Sequence, residues 1–135
     1  MSTPGGFFCG MVNKLLFFTF LFATCNVLAQ PVVRFHQNTV QLPSVREGDP
    51  VRFKIAVSND GNQPLIFTDS KVACKCTRVF FPLRPIAPGA VDSVAVFFDT
   101  EGKVGLQQRK VDLFSNASNN PAFFKFKFMV KRRRD

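Results

Sequence analysis

The chain has 135 residues, 46% of them hydrophobic, with 18 Phe, no Trp or Tyr, and a formal net charge of +9. This length suits one domain with one hydrophobic core, and it excludes a chain of several large domains. Phe must supply most of the packing in that core.

Residues 1–29 have the three-part pattern of a secretory signal peptide. Lys14 precedes an apolar run over 15–23, and the segment ends at Val27-Leu28-Ala29, with a small residue at the final position. A transmembrane helix needs about 20 predominantly apolar residues, and this run is much shorter. The pattern therefore favours a cleaved signal peptide over an uncleaved membrane anchor.

Two details of this leader have alternatives. Residues 1–10 are Gly-rich and uncharged, whereas Met11 to Lys14 form a more ordinary leader start, so we expect translation to begin at Met11. Lipidation of Cys25 is the alternative to cleavage after Ala29, but Thr24 is larger than the residue that normally precedes a lipid-modified cysteine. We therefore expect cleavage after Ala29 and export to the periplasm or the extracellular space.

Cleavage would remove Cys9, Cys25 and Lys14. The mature chain keeps 18 − 1 = 17 basic and 9 acidic residues, a net charge of 17 − 9 = +8. Only Cys74 and Cys76 remain, fewer than a small secreted domain held together by disulfides would carry. The mature domain is therefore predicted to fold by hydrophobic packing.

Alternating apolar and polar residues predict β-strands throughout 30–131, and no helical period occurs after residue 30. The predicted strands and turns follow in chain order: an inward row Val51, Phe53, Ile55 and Val57; a turn at 59–62; strands at 65–68 and 72–81; breaks at Pro82, Pro85 and Pro88; an inward row Val94, Val96 and Phe98; a turn at 99–103; a strand with Val111 and Leu113 that ends at Ser115-Asn116; a turn at 119–121; and a last row Phe124, Phe126, Phe128 and Val130. About seven short strands predict an immunoglobulin-like antiparallel β-sandwich. Alternating Lys residues place the last strand on an outer face, at an edge of its sheet.

A series of landmarks resembles an exported domain-of-unknown-function family that is widespread in Bacteroidetes and carries a Cys-Gly-Cys-Thr motif. The landmarks are Glu47-Gly48, Asn59-Asp60-Gly61, Pro64-Leu65-Ile66, Cys74-Lys75-Cys76-Thr77, Pro85-Ile86-Ala87-Pro88-Gly89, Phe98-Asp99-Thr100 and Ser115-Asn116-Ala117. The resemblance covers nearly all of 32–131 and implies a sandwich of the Hydin and major-sperm-protein kind, without an established biochemical activity. Two positions depart from the family pattern, Lys75 for Gly between the cysteines and Pro43 after Leu42 for Gly after Phe.

Cys74 and Cys76 are the one candidate constellation for chemistry. In an extended strand their Cα atoms would lie about 6.6 Å apart, near the upper limit for a disulfide. Export favours an oxidised pair with a structural role. The alternatives are Cu(I) or half of a zinc site held by two thiolates, and thiol–disulfide exchange with Lys75 lowering a thiol pKa.

The remaining candidates have simpler explanations. His36 is the only His, is expected on the surface, and has no catalytic partners in sequence. The basic tail 132–135, which follows Lys131, reads as a solvated terminus or an attraction to an anionic envelope surface, not as a nucleic-acid site. Asn116-Ala117-Ser118 matches a glycosylation acceptor, yet a turn explains Asn116 adequately.

The sequence therefore predicts an exported, non-enzymatic binding or structural module that contacts another envelope or secreted protein. No cofactor, nucleic acid or membrane span in the mature chain is expected. The alternative is a small copper, zinc or thiol-redox protein that uses Cys74 and Cys76.

Overall fold

The structure, a computed structural model, describes residues 28–134, so the predicted signal-peptide helix lies outside the described residues. The described chain contains no helix, and its nine strands are β1 (Val33–Phe35), β2 (Thr39–Gln41), β3 (Val45–Arg46), β4 (Val51–Asn59), β5 (Phe67–Val72), β6 (Thr77–Phe80), β7 (Val91–Phe98), β8 (Gly105–Ser115) and β9 (Ala122–Lys131). No segment in this part of the chain forms a helix of the length and hydrophobicity that a membrane span requires.

The strands form two sheets that pack on each other. The first sheet has the order β1-β4-β7-β6 and is antiparallel throughout. The second has the order β2-β9-β8-β5, and β3 also pairs with β9. Within the second sheet β2 and β3 run parallel to β9, while the other pairs are antiparallel. This arrangement confirms the predicted immunoglobulin-like sandwich.

The core lies between the sheets and contains the predicted inward rows. Alternation along β4, β7 and β9 buries one face of each strand, as a half-buried strand requires. The fully buried large side chains at its centre are Phe98, Phe124, Phe126, Phe128, Leu65 and Leu113. Phe98 packs edge-on against Phe126 and Phe128, with ring centroids 5.9 Å and 5.1 Å away. Phe therefore supplies the centre of the core, as the composition indicated.

The prediction that the last strand lies at a sheet edge is wrong. Its Lys residues do face outward, but β9 pairs with β8 on one side and with β2 and β3 on the other. The two covering strands have only three and two residues. Segments that short show no measurable alternation, so the sequence pattern could not reveal them.

The predicted strand over 72–81 is also wrong in its first half. β5 ends at Val72, a turn occupies 73–76, and β6 begins only at Thr77. The backbone N–H of Thr77 donates to the carbonyl of Cys74 (3.2 Å), and this hydrogen bond closes the turn that connects β5 to β6. The preceding strand likewise starts at Phe67 and not at 65, since Leu65 forms an isolated bridge with Ile86. Both differences reflect tertiary pairing, which alternation does not report.

Candidate functional site

The outer face of the first sheet carries a patch that we call the platform, made of Arg52, Lys54, Arg78, Phe80, Ala95 and Phe97. It surrounds an open depression of about 600 Å³. Phe80 is 55% exposed there. Phe80 and Phe97 form the apolar centre of the patch, and Arg52, Lys54 and Arg78 form its rim.

Strand register assembles the platform in two rows across the sheet. In one row Arg52 lies opposite Phe97, and Phe97 lies opposite Arg78. In the other row Lys54 and Phe80 both lie opposite Ala95 on β7. The Ala95 side chain is a single methyl group between two long side chains. The surface is therefore lower at Ala95, and the depression lies there.

The rim of the platform is positively charged. The guanidinium of Arg52 lies over the Phe97 ring, 5.4 Å from its centroid, so it shields one face of that ring. Within residues 28–134 neither this arginine nor Lys54 nor Arg78 forms a salt bridge with a carboxylate. The platform thus combines an apolar floor with three uncompensated cations.

The platform ends at a sheet edge that is free among residues 28–134, since within them β6 pairs with β7 alone. The backbone N–H of Asp99 donates to the carbonyl of Cys76 (2.9 Å), which makes Thr77 and Phe98 a non-hydrogen-bonded pair. The antiparallel ladder then turns the backbone groups of Arg78 toward β7 and those of Val79 outward. An unpaired strand of this kind is a template for another extended chain.

The cysteine turn leads directly into this edge strand. The structure joins Cys74 and Cys76 in a disulfide, with Cα atoms 5.1 Å apart. This distance is shorter than the predicted spacing of an extended strand, because the chain turns here. The backbone N–H of Cys76 also donates to Sγ of Cys74 (3.1 Å). Lys75 is exposed at the bend and does not have a positive φ, so this turn does not require the Gly of the family pattern.

The other predicted sites lie apart from any such cluster. His36 is exposed just after β1. Oδ1 of Asn116 accepts from the backbone N–H of Ile66 (2.9 Å), while its Nδ2 donates to the carbonyl of Pro64 (3.0 Å). In the described part of the chain no three His, Cys, Asp or Glu side chains converge as a metal site would require.

The basic tail partly folds back on the domain. Arg133 donates from Nε to the carbonyl of Glu47 (3.2 Å), and its guanidinium lies 3.7 Å from the Glu101 carboxylate. The guanidinium occupies the space that a side chain at Gly48 would fill, and this glycine has a φ of +90°. At least one tail residue is therefore held against the sandwich.

The platform itself was missed by sequence reasoning. Alternation along β7 predicts that Phe97 points outward. This is a usable indication of a binding surface, because a large apolar side chain on an outer face needs neighbouring side chains or a partner to cover it. Its neighbours Arg78 and Phe80 come from a strand whose start was misplaced. Their alignment with Ala95 depends on pairing between distant segments, which one sequence does not give.

The two-sheet topology defines the class as an immunoglobulin-like sandwich. The PapD-like domain 7 of human CEP192 superposes with a TM-score of 0.57 at 10% identity, covering 78% of this chain and 89% of that one. A protein of unknown function from Porphyromonas gingivalis W83 gives a TM-score of 0.61 at 15% identity, covering 82% and 50%. The secreted serine protease VesC from Vibrio cholerae gives 0.52 at 15% identity, covering 73% and 23%.

These similarities establish the fold alone, since all three identities are low. The chain spans half the length of the Porphyromonas gingivalis protein and under a quarter of the protease. Curated proteins contain no match to the sequence. The family model described as "Protein of unknown function (DUF1573)" matches residues 33–130, and the chain belongs to that family. This confirms the resemblance to a domain-of-unknown-function family.

Proposed function

We propose that this chain is an exported, non-enzymatic module of the cell envelope that binds another protein by strand addition along β6. The observation that carries the proposal is the free β6 edge beside the exposed Phe80 and the platform depression. Main-chain hydrogen bonds supply affinity in strand addition, while side-chain pockets beside the edge supply specificity. The site provides both elements on adjacent surfaces.

Metal binding or thiol–disulfide exchange at the cysteines has less support than protein binding. Metal binding and nucleophilic exchange both require a thiolate, and in the disulfide both sulfur atoms of Cys74 and Cys76 are bonded to each other. Folds of this class host many unrelated functions, so the binding proposal stands on the site and not on the fold.

Site-specific photocrosslinking in the source cells tests the binding proposal. A benzophenone amino acid is placed at Phe80 and, as a matched control, at Phe123, which is 47% exposed on the other sheet. We expect a discrete protein adduct from position 80 only. Val79→Pro removes the outward N–H and should abolish the adduct, whereas Val79→Ala trims the side chain, keeps the N–H and should retain it.

Adducts that form equally from both positions, or that survive Val79→Pro, would show that β6 is not the binding edge. An absence of any adduct at position 80 would equally contradict the proposal.

Export is tested separately on the leader. We expect the mature protein to begin at Gln30 and to be recovered outside the cytoplasm, with a precursor that starts at Met11. Recovery of the uncleaved chain in the cytoplasm would refute export, and a lipidated N-terminus at Cys25 would replace the predicted cleavage site. A precursor peptide from the first ten residues would refute the Met11 start.

A further inference from the structure

The chemistry of the platform restricts which segment can pair with β6. Resting on the proposed function, we infer that the partner supplies an extended acidic segment. Its outward side chains would alternate a carboxylate with an aromatic or branched apolar residue. Cross-strand neighbours are the unit of recognition in such pairing, so the residues of β6 specify the incoming residues.

The alternation of side chains along β6 determines which incoming residues become neighbours. Side chains of a strand alternate between the two faces, so Arg78 and Phe80 share the outer face while Val79 points toward the core. Incoming residues two positions apart would meet Arg78 and Phe80. A carboxylate fits the first and an apolar side chain the second, and the residue between them lies beside half-buried Val79, where an apolar side chain also fits.

Charge makes the carboxylate the strongest part of the prediction. Arg52 and Lys54 lie in the two rows that end at Arg78 and Phe80, so they add a weaker positive field behind Arg78. Arg78 lies on the strand next to the partner, about 5 Å away, whereas Arg52 and Lys54 lie on β4, three strand spacings or about 14 Å from it. The Debye length is about 8 Å at physiological ionic strength, so Arg78 is the main charge that the partner meets. Arginine also binds a carboxylate through two parallel hydrogen bonds.

Two other occupants fit the platform less well. A second copy would bring its own Arg78, Arg52 and Lys54 to the interface, and like charges across paired strands are destabilising. Residues 1–27 of this chain contain Lys14 and no Asp or Glu, so they offer no carboxylate to the rim. A partner protein with an acidic segment answers both objections.

Unlabelled peptides and the purified exported protein provide the test. The probe is the capped hexapeptide Ser-Glu-Val-Phe-Val-Ser, and its control carries Lys in place of Glu. A titration followed by NMR chemical shifts reports both the affinity and the location of binding. We expect shifts centred on β6, with the Glu peptide bound about fivefold more tightly at low salt, because the Lys control replaces one exposed ion pair with Arg78 by a like-charge contact of similar magnitude. The preference should shrink as salt is added.

A charge reversal separates specific pairing from general attraction. Arg78→Glu should reverse the order of the two peptides, whereas Lys125→Glu, an equal change in net charge on the exposed face of β9, should leave the Glu peptide preferred. Equal effects of the two variants would overturn the inference.

The remaining outcomes distinguish this inference from the proposed function. Shifts on β6 without a preference for Glu would refute the acidic pattern and leave strand addition standing. Peptides that do not perturb β6, or a dimer formed through β6, would overturn the inference itself, and crosslinking from position 80 would still decide the proposed function independently.

Discussion

One buried polar side chain, that of Asn59, joins several segments of the sandwich. It is fully buried, and its Oδ1 accepts from the backbone N–H groups of Val32 (3.2 Å) and Gly61 (3.0 Å). Its Nδ2 donates to the carbonyls of Gln63 (2.6 Å) and Ile86 (3.0 Å). All four hydrogen-bonding positions of the buried amide are thus occupied by backbone groups.

The turn at 59–62 was predicted, but through a different mechanism. Asn, Asp and Gly favour turns partly because they tolerate a positive φ. Here no described non-glycine residue has a positive φ, and Gly61 does not have one either. The Asn59 side chain instead bonds to the backbone two residues ahead, which mimics a backbone turn. Gly61 is required because Pro31 packs against it and leaves no space for a Cβ atom.

We therefore expect Asn59→Ala to lower the free energy of unfolding by about 3 kcal/mol, because it removes four hydrogen bonds that a fully buried side chain makes to the backbone of three other segments. Urea denaturation measures the change. Asn62→Ala, at an exposed position in the same turn, serves as the control and should change stability by about 0.5 kcal/mol or less. Similar midpoints for the two variants would contradict this account of the amide.

The cysteine pair yields a second prediction at the residue scale. Alkylation of the mature protein should label no cysteine before reduction and both Cys74 and Cys76 afterwards. Replacing both by Ser should cost only about 1.5 kcal/mol, because a disulfide that closes so short a loop restricts the unfolded chain little. Labelling of both thiols without reductant, or stoichiometric copper or zinc lost on Cys76→Ser, would favour the metal or thiol-redox alternative.

At the scale of elements, β9 carries the centre of the core. Phe126 is fully buried and packs against Phe53, Phe98 and Phe128, with ring centroids 5.1, 5.9 and 6.2 Å away. Phe53 and Phe98 belong to the opposite sheet, so this single ring joins the two layers. A large side chain at such a junction cannot be removed without leaving a cavity.

Phe126→Ala should consequently destabilise the domain by about 3–5 kcal/mol. The neighbouring Lys127→Ala, on the outer face of the same strand, should change stability by no more than about 0.5 kcal/mol. Thermal unfolding followed by circular dichroism compares the two variants. If Lys127→Ala were the more damaging of the pair, the inward register of β9 would be wrong.

β9 also shows which features of the fold can be predicted from one sequence. Its alternation over ten residues identifies the strand, the buried face and the exposed lysines. Its neighbours β2 and β3 are not predictable, because strands of three and two residues are too short to show alternation and pair with β9 from more than 80 residues away. The platform has the same origin: each outward residue follows from alternation, but their grouping depends on the order of strands in the sheet.

For the whole molecule, the basic charge is unevenly distributed. Five cations, Arg46, Lys131, Arg132, Arg133 and Arg134, line one surface depression at the end of β3 and β9. Arg133 is the member that contacts a carboxylate, that of Glu101, and that contact is exposed and weak. Local clustering raises the potential above what a net charge spread evenly over the surface would produce.

This clustering predicts how the protein is retained on an anionic matrix. Replacing Arg132, Arg133 and Arg134 by Ala takes the net charge of residues 30–135 from +8 to 8 − 3 = +5, as does replacing Lys71, Lys125 and Lys127 on the outer face of the second sheet. If net charge alone governed retention, both triple variants would elute at the same salt concentration. We expect the tail variant to elute earlier, because its charges act together within about one Debye length. Equal elution would show that the tail has no anion-binding role beyond its contribution to net charge.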